Sequence, residues 1–360
     1  MMGLLLLALS CAVLFLLPLV PAALEWWRPS DNAPLRVVRE YDGSISHFAA
    51  SFQRFVDAQL RPYLEQARSS AGQVEGALAN GTRIIAVAPG QPLHLDDEEE
   101  KRRECERLIL SPGDLTLPGE RIYSGEIFAQ GAIHGGPGLV LRAALAKGDI
   151  DLAAESYVMR WIHAEGEAVV GVRSRLYGRA SAVRRLAVGP GSQFGRIFAP
   201  RIEFTPVAPP ARPARLVLQR RPALALPSRV QANDVGRWLV RGDLAVQPQC
   251  WHRGHLIAAA GLQVGEGAFV AGSVKGNRDV TLAAGSCVLG SVVAAGSVFL
   301  AQDSRALGPI VAEDVVEIGP GCVVGTPEHP TTITAPHIRV APGALVHGSV
   351  WAREGGEVLA

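Results

Sequence analysis

Aliphatic residues recur every 18 positions between residues 244 and 325. Leu262, Val280, Val298 and Val316 form one column, and Val264, Leu282, Leu300 and Ile318 form a second. One interval back, the two columns fall on Leu244 and Val246. Gly254, Gly272, Gly290 and Gly308 keep the same beat. Inside each interval runs a beat of six, as in VGEGAF, VAGSVK, GNRDVT and LAAGSC. Alternation of apolar and polar positions over three or four residues is a strand with one buried face. Glycine and small residues every sixth position turn the chain before the strand can lengthen. Three such strands make one triangular coil, and no coil buries its inward face without a neighbour. The pattern therefore predicts a mostly β chain built as a parallel β-solenoid.

A second stretch carries the same beat. From Leu152 to Gln193 the hexads LAAESY, VMRWIH, AEGEAV and VGVRSR continue, with Leu152, Val170 and Val188 again 18 apart. Gly148-Asp149-Ile150 matches Gly242-Asp243-Leu244 at an offset of 94, which points to duplication. Between them, Thr205 to Arg229 holds six prolines and five arginines and is expected to be an extended linker. Ahead of both, Phe48, Phe52, Phe55, Val56, Leu60 and Tyr63 form a helical stripe, kinked or split at Pro62 and expected to pack on the solenoid or on another copy of itself. A helix over a solenoid's open end would cover apolar surface and unpaired strand edges. The acidic run Asp96–Glu100 with Lys101, Arg102 and Arg103 is expected to be a solvated loop.

The N-terminus departs from all of this. Gly3 to Leu24 is unbroken apolar sequence, about 33 Å as a helix, and it predicts a membrane anchor through Leu4, Leu7, Val13, Leu16 and Leu19, with Trp26 and Trp27 at the interface. Val20-Pro21-Ala22 offers a signal-cleavage site as the alternative, but no basic residue precedes the run. Arg28, Arg36 and Arg39 follow it, so the positive-inside rule places the bulk of the chain in the cytoplasm, at an inner membrane. The expected division is an anchor over 1–28, a helical juxtamembrane segment over 29–105, solenoids over 106–204 and 230–360, and the linker over 205–229.

Charge and composition narrow the partners. A formal net charge of +1 and 6% aromatic residues supply neither the field nor the stacking platforms of a nucleic-acid binder. Cys250 and Cys322 share a column four coils apart, about 19 Å, beyond disulfide reach, and Cys287 is expected to face outward. Free thiols suit a reducing compartment. His252 and His255, beside Cys250, are the nearest approach to a metal site. Their register opposes it: His252 shares a column with inward Val270, and His255 with the turn residue Ser273. His163, His329, His337 and His347 are expected on the surface, in separate turns. The pairs Gly265/Gly267, Gly189/Gly191 and Gly319/Gly321 sit at coil corners, and no Walker or nucleophile-elbow pattern accompanies them. No catalytic, cofactor or metal residues are assigned.

The coils over 242–325, with Gly-Ser corners at Gly272-Ser273 and Gly290-Ser291, the weaker coils over 127–204 and the apolar N-terminus together resemble the bactofilins. These are bacterial polymer-forming cytoskeletal proteins. The resemblance implies a triangular β-helix whose subunits join end to end into non-polar filaments on the inner membrane. It also implies partnership with cell-envelope or polysaccharide assembly proteins. Two solenoids, a helix and a Pro-rich connection depart from the family's single short solenoid. Free N–H and C=O groups at a coil end recruit another end. The last coil, with Leu345, Val346 and Val350, is the expected self-association surface. The rival is a left-handed hexapeptide-repeat enzyme of the acyltransferase kind, for which the loop Thr326–Ala335 bearing His329 would have to deliver a histidine to a neighbouring coil.

Overall fold

The computed structural model describes residues 2–20, 27, 45–205, 222–223, 230–232 and 236–360. It divides into two units, Met1–Ser44 and Ile45–Ala360. Most of the predicted linker lies outside the described residues, as do Trp26 and the side chains of Leu4 and Val13.

In the first unit the helix runs over Met2–Leu16 and gives way to a 3-10 turn at Leu17–Leu19. This corrects the expectation of one helix over Gly3–Leu24. Pro18 has no N–H to give and its ring crowds the turn before it, so the α-helix ends ahead of it. Fifteen residues rise about 22 Å. Among the described residues, no helix is long and apolar enough to cross a membrane. Leu7, Leu16, Leu19 and Trp27 are exposed.

The second unit is the solenoid, a single 32-stranded sheet system of about 13 turns. Leu244, Leu262, Val280, Val298 and Val316 stand beside one another on successive strands, in parallel pairing and in register. Val246, Val264, Leu282, Leu300 and Ile318 do the same two residues on. All are buried, and the residue between each pair, such as Gln263 or Phe299, faces out. The corner aspartates work alike in both halves. Asp149 Oδ1 accepts the Glu167 N–H at 2.7 Å, and Asp243 Oδ1 accepts the Gly261 N–H at 2.8 Å, each one coil on. The Glu167 N–H, helped by Arg184, holds the Asp149 carboxyl below its ordinary range against the opposing effect of desolvation.

Each coil has a front face, then a second face and a third. On the front face of the first half run Arg83–Val87, Leu108–Ser111 and parts of Ile122–Ala129, Val140–Ala146, Tyr157–Ala164 and Arg175–Ala182. The stack thus starts earlier than residue 106. Gln73–Ala77 closes it by pairing antiparallel with Arg83–Val87. The helical stripe forms as helix His47–Phe55, a π-turn Val56–Leu60 and helix Arg61–Ser69, with Pro62 in the first turn of the last piece. It covers a flank of the stack, not an open end. Phe52, Val56, Leu60 and Leu64 pack on Ile84, Leu108, Leu110, Phe128, Leu145 and Trp161, outward positions of the front face. Apolar residues on both sides of those strands make this covering necessary.

The acidic run is also not all solvated. Asp96 caps the helix Asp97–Arg102 by accepting from the N–H groups of Glu98 and Glu99. Glu99 is buried and pairs through both oxygens with buried Arg107, whose Nη1 also reaches Glu75 Oε1 at 2.9 Å. A buried guanidinium demands such partners. Cys287 is buried as well, flanked in register by Phe269 and Arg305, whose larger side chains shield the thiol.

Candidate functional site

The last coil of the first half is the strand Gln193–Phe204, and the last coil of the second half is Leu345–Val358. They pair with each other, antiparallel, across all three faces. Ile197 lies opposite Val350 on the two front faces, Ile202 opposite Val346, Glu203 opposite Leu345, and Phe194 opposite Gly356. Backbone bonds extend the seam at both margins: Gly343 N–H to Phe204 O at 2.7 Å, Gly191 N–H to Val358 O at 2.9 Å, and Val358 N–H to Ser192 O at 2.8 Å. The two stacks are therefore joined tail to tail, and each starting coil lies at a far end. Antiparallel pairing of the same kind of coil from both sides is the geometry of an isologous contact, here within one chain.

The residues expected to form a self-association surface are engaged within the chain. Val346 and Val350 are fully buried and Leu345 is half-buried, all engaged inside the chain. The last coil is not a free edge, because the first half already supplies the next rung. His347, expected in a surface turn, is buried at this seam, where its Nδ1 lies 2.8 Å from the carbonyl of Pro200. Gly356 permits the closure: a Cβ there would stand 2.2 Å from the Phe194 ring.

Among the described residues, the starting coil of the second half is only partly covered. Val230–Ala232 pairs antiparallel with Trp238–Val240 on the front face, and Ala223 bridges Trp251 on the third. Leu244–Val246, on the second face, pairs only with Leu262–Val264 among the described strands. Leu244 and Val246 bond toward that neighbour, with Leu244 N–H reaching Gly261 O at 3.0 Å, so the N–H and C=O of exposed Ala245 point off the end. The first half has a matching edge at Leu115–Leu117, paired only with Ile133–Gly135 among the described strands. Both open edges belong to the second face of a starting coil.

The histidines do not converge. His252 is buried, its Nε2 3.0 Å from Gly236 O and its ring 4.3 Å from Trp238, whereas His255 Nδ1 accepts the Ser273 N–H at 3.1 Å in a turn. This is the divergence their register predicts. His163 is half-buried in a strand, with Nδ1 2.8 Å from Ser181 Oγ, and is not a surface turn residue. His337 meets Glu354 at 3.1 Å. His329 is exposed, its N–H bonded to Thr326 Oγ1 within its own loop. Among the described residues, no three metal-ligating side chains come together. Comparison with family models, with curated proteins and with solved structures finds no match, so geometry alone carries the functional reading.

Burial pushes the His163 and His252 imidazoles below their ordinary 6.5, the latter against the opposing bond to Gly236. Both fold neutral, and the unfolded chain binds protons first as pH falls. Their contribution is complete above about pH 6.5 and is lost progressively below it. Thermal melts at pH 7.5 and 5.5 are expected to show a drop in melting temperature that the double variant His163→Gln/His252→Gln reduces. An equal drop in the variant contradicts this assignment.

Proposed function

We propose that this chain is a non-catalytic assembly scaffold of the bactofilin kind, associated with a membrane through its apolar N-terminal residues. The observation that carries the reading is the tail-to-tail seam. It has the form that the end-to-end contact of a non-polar solenoid filament would take, made here within one chain. Such a subunit presents only starting coils outward, and the edges at Leu244–Val246 and Leu115–Leu117 offer unpaired backbone for head-to-head addition. Membrane association rests on the apolar helix Met2–Leu16, whose Leu6, Leu7, Leu14 and Phe15 are exposed. The arginines that follow it favour the cytoplasmic side for the solenoid in this reading.

Ala245→Pro tests the reading. Proline is tolerated where a strand N–H faces off a sheet edge, yet it removes the donor a neighbouring chain needs. The full chain in detergent micelles is expected to form oligomers or filaments by light scattering and negative-stain microscopy. Ala245→Pro is expected to shorten or abolish them with little change in melting temperature. A wild-type chain that stays monomeric at every concentration, or a variant that assembles unchanged, defeats the proposal.

A further inference from the structure

The two halves treat the outer side of the front face differently. In the first half its outward positions are apolar, and the helices His47–Phe55 and Arg61–Ser69 bury them. The second half continues that face beyond the seam. Leu239, Ile257, Lys275, Val293 and Val311 form one outward column, each in register with the next. Thr334 and Trp351 carry the column to the seam. Leu239, Val311 and Trp351 are exposed, and Ile257 and Val293 are half-buried. The cluster packed under the helices stops at Trp161 and includes none of these residues. A parallel sheet that is apolar on its outward side is ordinarily packed on both faces.

The charges on this face point to its occupant. Lys275 is exposed within the apolar column, and exposed Arg278 follows it at the corner where the chain leaves the face. Two rungs on, exposed Glu313 and Asp314 stand at the same corner after Val311. The rung of Val293, with Ala295 and Gly296 at its corner, lies midway between them. Among the described residues, none of these four charged side chains has an ion pair. The neighbouring Asp279 is already engaged, its Oδ1 accepting the Ser297 N–H at 2.8 Å. The end rungs carry both signs, Arg241 with Asp243 and Arg353 with Glu354. A basic rung and an acidic rung therefore stand at equal distances, about 4.8 Å, on either side of Val293.

We propose that two copies of this chain pack these front faces together about a twofold axis that runs along the strands through Val293. Stacked sheets lie about 10 Å apart with their strands aligned. The axis reverses the order of the rungs, so Lys275 and Arg278 of each copy face the other copy's acidic rung. Ile257 then lies over the partner's Thr334, Leu239 over the partner's Trp351, and Val293 over its own counterpart. The other possible twofold, along the stack, sets every rung against itself and Lys275 against Lys275, which like charge opposes. An anionic bilayer would answer the lysine but not the two carboxylates. The helices of the first half leave room, because Phe48 lies over Arg179, two rungs beyond Trp351. Six intervals of about 4.8 Å make a face about 29 Å long, at the low end for a specific interface. Pairing is thus reversible, and dilute chains are separate. The inference does not rest on end joining, because this face runs along the stack.

A cross-link on the axis tests the pairing. In a Cys11→Ser background the remaining cysteines are buried, and Val293→Cys places one reactive thiol at the centre of the face. A short bis-maleimide added to the full chain in detergent micelles is expected to link two chains, with a yield that rises with protein concentration. Thr281→Cys, half-buried on the second face, is the control and is expected to give little dimer. Lys275→Glu/Arg278→Glu is expected to lower the Val293→Cys dimer yield about tenfold at an unchanged melting temperature, the scale of lost charge pairing across an interface. Glu313→Lys/Asp314→Lys is expected to do the same. All four substitutions together exchange the signs of the two rungs and are expected to restore the dimer. The inference is overturned if Val293→Cys gives no dimer, if Thr281→Cys gives as much, or if the fourfold exchange fails to restore it. A Val293→Cys thiol that resists a soluble maleimide at every protein concentration is covered by its own chain. One shielded only when phosphatidylglycerol vesicles are added faces lipid. Either result overturns the inference as well.

Discussion

Val350→Asp is expected to open the seam and lower the melting temperature of the solenoid by about 10 °C. The side chain is fully buried and faces Ile197 across the antiparallel pair that joins the two stacks. An aspartate at that point loses the packing of the valine and buries a carboxylate with no partner, together about 5 kcal/mol. For a unit this long, each kcal/mol shifts melting by about 2 °C. Val311→Asp is the control, on an exposed outward position of the same face, and is expected to cost less than about 0.5 kcal/mol. Thermal melts and limited proteolysis read both. Equal melting of the Val350 variant and wild type contradicts the seam as an energetic centre.

Gly272→Val is the second large effect. A Cβ at Gly272 would sit 2.0 Å from the carbonyl oxygen of Gly254, one coil below, and 2.4 Å from its carbon. Gly308 meets the backbone of Gly290 at 2.6 Å in the same way, and Gly290 meets the backbone N of Ser273 at 2.6 Å as well as its Oγ. These are main-chain contacts, so no side chain can swing aside and the rungs themselves must part. The expected loss is about 3 kcal/mol or more, read in thermal or urea unfolding. Gly285→Ala gives the contrast. There φ is +63° with nothing within 4 Å of the added carbon, and the cost is expected near 1 kcal/mol. Similar losses at the two sites would mean that close approach between coils is not what the Gly254 column serves.

That column also marks what was legible beforehand. The 18-residue interval announces itself because every coil repeats one inward pattern, and the aliphatic columns stand where it puts them. Positions defined by partners far along the chain were not legible. Val346 and Val350 look like any other inward residues, and nothing in their spacing says whether the next rung is another chain or residues 193–204. His347 reads as a turn residue until Pro200 closes over it. Glu99 reads as solvated because its partner Arg107 lies eight residues on, beyond the acidic run. One missed element did carry a signal. Asn80-Gly81, with Gly81 at φ +84° and Asn80 Oδ1 accepting the Thr82 N–H, turns the hairpin Gln73–Ala77 to Arg83–Val87. The apolar run at the N-terminus misled about the helix, because Pro18 ends the α-helix inside it.

The seam is tested most directly by a cross-link. Phe198 and Ser349 face one another in register on its outer side, and both are half-buried. Of the five native cysteines, only Cys11 is exposed, and Cys11→Ser removes it. In that background Phe198→Cys/Ser349→Cys is expected to oxidise to a disulfide within one chain. The product should be monomeric on a denaturing gel, faster-migrating than its reduced form, and independent of protein concentration. Cross-linked dimers alone, or thiols that stay free, would contradict a solenoid joined tail to tail within the chain.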